Sequence, residues 1–88
     1  MTPTELALHL RRRADHLRSL ASSIEATPAM SLDHHATDDT WRGRRPQLCR
    51  MLLSTGQRQL HAAADDLRGH AYRLERDADE LDALARPT

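Results

Sequence analysis

Leucine returns at every seventh position along the second half of the chain: Leu53, Leu60, Leu67, Leu74 and Leu81. Four residues after each stand Gln57, Ala64, Ala71, Ala78 and Ala85. In heptad terms leucine fills every d position and alanine four of five a positions. A seven-residue period held over this length predicts one long helix with a left-handed supercoiled seam. Alanine at a lets a second backbone approach closely. Pro46 and Pro87 bound the pattern, giving a helix over residues 46–85. Gly56 and Gly69 cost roughly 1 kcal/mol each against alanine. Gly56, in Ser54-Thr55-Gly56-Gln57, is the expected bend or break.

The first segment has a different signature. Thr2-Pro3-Thr4-Glu5 is a capping box with proline at the first helical position. Leu6, Leu10, Ala14, Leu17, Leu20, Ala21 and Ile24 then recur at three- and four-residue steps, one face of an amphipathic helix. Thr27-Pro28 ends it, because proline disfavours helical geometry at the residue before it. This predicts a helix over residues 3–26. Residues 27–45 hold Pro28, Ser31, Asp33, Asp38, Asp39 and Gly43, which is loop chemistry. Met30, Leu32 and Trp41 are the apolar anchors of that connection.

The predicted fold is therefore all-α, an antiparallel hairpin of two long helices in a single domain, residues 1–88. Two helices cannot enclose a core, because the pair keeps an open side. The hairpin is expected to complete a four-helix bundle with a partner. Counting outward from the loop leaves residues 72–85 overhanging and sets Arg11–Arg13 level with Asp65 and Asp66.

Composition narrows the function. The chain has 88 residues, 13 basic and 13 acidic, and every basic residue is arginine. One Ile and no Val exclude a sandwich or barrel. A single Cys excludes a disulfide framework and a four-Cys zinc site. No apolar run approaches the ~18 residues needed for a transmembrane segment. The N-terminus has no signal-peptide h-region. The expectation is a chain that is cytoplasmic or secreted without a signal peptide.

Trp41-Arg42-Gly43 falls mid-chain between the two amphipathic segments, and Trp41 is the only Trp. A Trp-X-Gly in the connection of a helical hairpin resembles the WXG family, the Esx-like small proteins of type VII secretion systems. The all-Arg, Ala/Leu-rich composition suits the high-GC actinobacteria in which that family is common. The resemblance implies a hairpin that dimerises into a four-helix bundle, exported without a signal peptide, with Trp41 and Gly43 as the turn motif. It implies a protein partner, as a homodimer or as a heterodimer with another hairpin or the helical domain of a larger effector. The sequence departs from the family's C-terminal Tyr-x-x-x-Asp/Glu signal, since Arg76 stands four residues after Tyr72. Export is therefore expected to depend on a partner. The alternative is a cytoplasmic adaptor or chaperone for the helical domain of an effector.

Other chemistry is weaker. Gly43 and Pro46 interrupt the arginines ahead of the leucine heptads, and the net charge is zero, so no nucleic-acid partner is expected. His34 and His35 lie near Asp33, Asp38 and Asp39, and His61 is four residues from Asp65, but no two His have the i, i+4 spacing that grips an ion. No catalytic motif or cofactor site is present, so no enzyme is expected. Cys49 is expected as a buried or half-buried thiol near the loop end. Residues 42–58 carry five arginines and no acid; residues 59–88 carry seven acids and four arginines. Within the last turns, Arg73–Asp77, Arg76–Glu80 and Asp82–Arg86 are spaced for i, i+4 pairs.

Overall fold

The computed structural model describes residues 1–31 and 44–86. Helix α1 spans Pro3–Glu25 and helix α2 spans Arg44–Ala85, with a short 3-10 turn at Pro28–Ser31. Trp41, Gly43 and the acidic part of the connection lie outside the described residues.

The start of α1 follows from its first residues. The Glu5 N–H donates to Thr2 Oγ1 at 3.0 Å, and the Thr2 N–H donates to Glu5 Oε2 at 3.4 Å. Two of the donors that a helix N-terminus leaves open are satisfied in this way. At the far end, the Thr27 hydroxyl donates to the Ile24 carbonyl at 2.8 Å. Pro28 has no N–H with which to continue the ladder, and the chain tightens into the 3-10 turn. Helix α2 begins at Arg44, two residues before the expected start. Pro46 thus sits in the first turn, where a missing N–H breaks no helical bond.

Neither glycine breaks α2, which runs unbroken through Gly56 and Gly69. A methyl group at Gly56 would meet nothing within 4 Å. One at Gly69 would meet only the end of the Arg73 side chain at 3.7 Å. Gly56→Ala and Gly69→Ala should therefore each raise stability by about 1 kcal/mol. Urea titrations followed by circular dichroism would show this as a higher midpoint at constant slope.

The two helices lie side by side and antiparallel. The molecule measures 69 × 17 × 15 Å, and its radius of gyration is 20.0 Å. A compact domain of this length would have a radius of gyration near 12 Å. The interior is accordingly one line of contact. Among the described residues, those fully buried are Ala7, Ala14 and Ala21 on α1 and Ala64, Ala71 and Ala78 on α2, all 0% exposed. Each set is spaced by seven. Alanine ends at Cβ, so both helices can bring their backbones together along this line. Half-buried Leu10, Leu17 and Ile24 flank it on α1, and Leu60, Leu67, Leu74 and Leu81 flank it on α2.

Candidate partner-docking surface

Ion pairs run between the helices and mark how they are aligned. Arg11 donates to Asp79 at 2.9 Å and to Asp82 at 2.6 Å. One heptad further along α1, Arg18 meets Glu75 at 2.6 Å and also reaches Asp15 at 3.2 Å. One heptad further again, Arg68 forks onto both carboxylate oxygens of Glu25, with the Nη2–Oε2 contact at 3.0 Å. The first two rungs put arginine on α1. The third puts it on α2.

This ladder corrects the alignment expected from the turn. Arg11 lies beside Asp79 and Asp82, not Asp65 and Asp66, and Asp82 pairs across to α1 rather than along α2 to Arg86. The overhang is also at the other end. Thr4 lines the same shallow depression as Asp82, Ala85 and Arg86, so the C-terminus of α2 is covered by α1. Its N-terminal part projects beyond α1.

The rungs are semi-exposed, yet the second and third lower the titration of Glu75 and Glu25. Hydrogen bonding from Arg68, helped by its charge, holds the Glu25 carboxyl below the usual range. Arg18 does the same to Glu75. Both carboxyls are more acidic folded than unfolded. Their contribution is complete above the unfolded value of about 4.3 and is lost as pH falls through the lower folded value. The melting temperature should hold level from about pH 7 to 5 and fall below about pH 4. Thermal melts across that range check this, and Glu25→Gln with Glu75→Gln should flatten the acid limb.

The flanks of the alanine seam are open. One shallow groove is lined by Leu17, Ala63, Asp66, Leu67, His70 and Arg73. Another, also reaching Leu17, runs along His9, Arg12, Arg13 and His16. Of the face assigned to α1, Leu10, Leu17 and Ile24 are half-buried, whereas Leu6 and Leu20 lie at the exposed rim. Of the face assigned to α2, Leu53, Leu60, Leu67, Leu74 and Leu81 are half-buried and Ala64, Ala71 and Ala78 fully buried. Leu8, Leu48, Met51, Leu52, Tyr72 and Leu84 are exposed. Cys49 is exposed as a free thiol rather than buried.

Comparison with protein-family models, curated protein sequences and solved structures found no match for this chain. Among the described residues, no helix is long and apolar enough to cross a membrane. Among the same residues, no three His, Cys, Asp or Glu are grouped to hold a metal ion. What the described surface offers is apolar area and paired charge on two rods.

Proposed function

We propose that the chain is a non-enzymatic protein–protein interaction module whose partner is another helical hairpin, with which it forms a four-helix bundle. One observation carries this reading. Among the described residues, the fully buried side chains are six alanines, while the leucines that flank them stay half-exposed. Alanine burial removes little apolar area from water. The larger hydrophobic gain comes when a second pair of helices covers those leucines.

Within that reading, the chain is an Esx-like partner or exported small protein of a type VII secretion system. Support comes from Trp41-Arg42-Gly43 in the connection between two amphipathic helices. Arg76 stands four residues after Tyr72, where the family's signal has Asp or Glu, and this supports export together with a partner that carries the signal.

The test is to purify the chain alone and with any helical hairpin encoded beside it, then compare light scattering and thermal melts. A 1:1 complex or a homodimer, melting more cooperatively than the monomer, is the expected result. A stable, cooperatively melting monomer at micromolar concentration that ignores its neighbour would end the interaction reading. Export from a type VII-competent host should need the neighbour and be impaired by Trp41→Ala. If no neighbour supports export and Trp41→Ala behaves as wild type, the chain is instead a cytoplasmic adaptor.

A further inference from the structure

Each buried alanine marks a row on either side of the seam. Four residues after it stands a member of the ion-pair ladder, Arg11, Arg18 and Glu25 on α1 and Arg68, Glu75 and Asp82 on α2. Three residues after it stands a half-buried aliphatic, Leu10, Leu17 and Ile24 on α1 and Leu67, Leu74 and Leu81 on α2. On a helix these two rows lie on opposite sides of the alanine line. The ladder joins the helices along one flank, so the aliphatic rows share the other, where Leu17 and Leu67 line one groove. The residue before each buried alanine forms the outer edge of that aliphatic flank. On α1 this edge is Leu6, Arg13 and Leu20, and on α2 it includes His70 and Asp77 and continues to Leu84.

Charge divides between the two edges. On α1, His9, Arg12, Arg13 and His16 stand beside Leu17. The three acids of α1 are engaged elsewhere, Glu5 with Thr2, Asp15 with Arg18 and Glu25 with Arg68. On α2 the edge carries Asp66, Asp77 and Glu80 against Arg73. Arg13, Asp77 and Glu80 are exposed, and among the described residues they make no ion pair.

We infer that the second hairpin of the bundle is a copy of this chain, turned about a two-fold axis parallel to the rods, so that α1 of each copy lies on α2 of the other and Arg13 pairs with Asp77 and Glu80 of the second copy. The inference rests on the interaction reading above and names its partner. Rotation about such an axis shifts nothing along it, so levels within one hairpin are also levels between copies. Arg11 pairs with Asp79 and Asp82. Two residues along α1, Arg13 therefore stands level with Asp77 and Glu80. By the same alignment Leu6 stands level with Leu84, which is 81% exposed in the single hairpin. The aliphatic rows of both copies meet at the centre, and the symmetry makes every contact twice.

Two other arrangements fit less well. A two-fold axis across the rods sets α1 on α1 and α2 on α2, so the basic edge meets a basic edge and the acids meet acids. An anionic membrane surface is repelled by Asp66, Asp77 and Glu80 along the same flank.

The test measures self-association of the full chain by analytical ultracentrifugation. The wild type should dimerise at micromolar concentration. Arg13→Glu, and separately Asp77→Arg with Glu80→Arg, should each weaken the dimer at least about tenfold at ~0.05 M salt, a margin that shrinks at ~0.5 M. Mixing the two variant chains should restore wild-type affinity, because both symmetry-related contacts become attractive again. A chain carrying all three substitutions should dimerise by itself. That rescue separates a lost contact from a failure to fold. A dimer indifferent to either reversal overturns the proposal, and so does a mixture that stays as weak as its components. If the wild type stays monomeric yet binds a companion hairpin, the second copy falls and the interaction reading stands. If it binds neither itself nor any hairpin, both fall.

Discussion

Ala71→Leu is expected to cost more than the ~1–3 kcal/mol typical of an overpacked core. Ala71 is 0% exposed on a seam where both helices present only alanine at full burial. Elsewhere an inserted isobutyl group can be absorbed by repacking of long side chains. Here there are none to move at the point of contact, so the helices must separate. Separation loosens the neighbouring rungs Arg18–Glu75 and Glu25–Arg68, which depend on the same approach. Ala62→Leu, on the exposed side of the same helix, adds the same group without entering the seam and should be nearly neutral. Denaturant titrations of the two variants make the comparison. Equal midpoints would show that the alanine line is not where the helices touch. Leu67→Ala, by contrast, removes a half-buried flank residue and should cost less than the ~2–5 kcal/mol of a buried leucine.

Two long helices were legible because two kinds of signal agreed. The capping box at Thr2–Glu5 and the Thr27-Pro28 stop bracket α1, and the Leu53–Leu81 heptad spans most of α2. Glycine misled. Gly56 looked like a break, but a residue that is merely costly in a helix is carried when the turns on either side are good. On α1 the bulky residues drew the eye to Leu6 and Leu20, which lie at the rim. The line of full burial is Ala7, Ala14 and Ala21, a repeat of seven among small residues. Alignment was the larger error. Counting from the turn assumes that the connection fixes the level of the helices. The observed alignment is instead the one that the cross-helix ion pairs satisfy. The signal was in the sequence, as charges seven apart: Arg11, Arg18 and Glu25 on one helix, Arg68, Glu75 and Asp82 on the other. The turn motif, Trp41 and Gly43, lies outside the described residues.

Those charges carry the last expected result. Exchanging the third rung, Glu25→Arg with Arg68→Glu, should keep the hairpin folded but let it slip by whole heptads. The apolar pattern alone does not choose among such slips, because alanine recurs every seven residues on each helix, flanked by Leu10, Leu17 and Ile24 on α1 and by Leu60, Leu67, Leu74 and Leu81 on α2. The reversed third rung does choose. Moving α1 one heptad in one direction sets Arg18 against Arg68. Moving it the other way sets Glu25 against Glu75. Each slip thus keeps one attractive pair and creates one like-charged pair, while the observed alignment satisfies all three. With the third rung exchanged, every arginine of the ladder stands on α1 and every acid on α2, and either slip retains two attractive pairs with no repulsion. A heptad is about 10 Å of helix axis. Spin labels on the native, exposed Cys49 and on His16→Cys, which is exposed on α1, would read that displacement. The wild-type ladder should give one distance, and the exchanged ladder a distribution with components about 10 Å apart. Glu25→Arg alone sets two guanidinium groups together and should lower the melting temperature, and adding Arg68→Glu should restore it. A single sharp distance in the exchanged ladder would show that something other than charge sets the alignment.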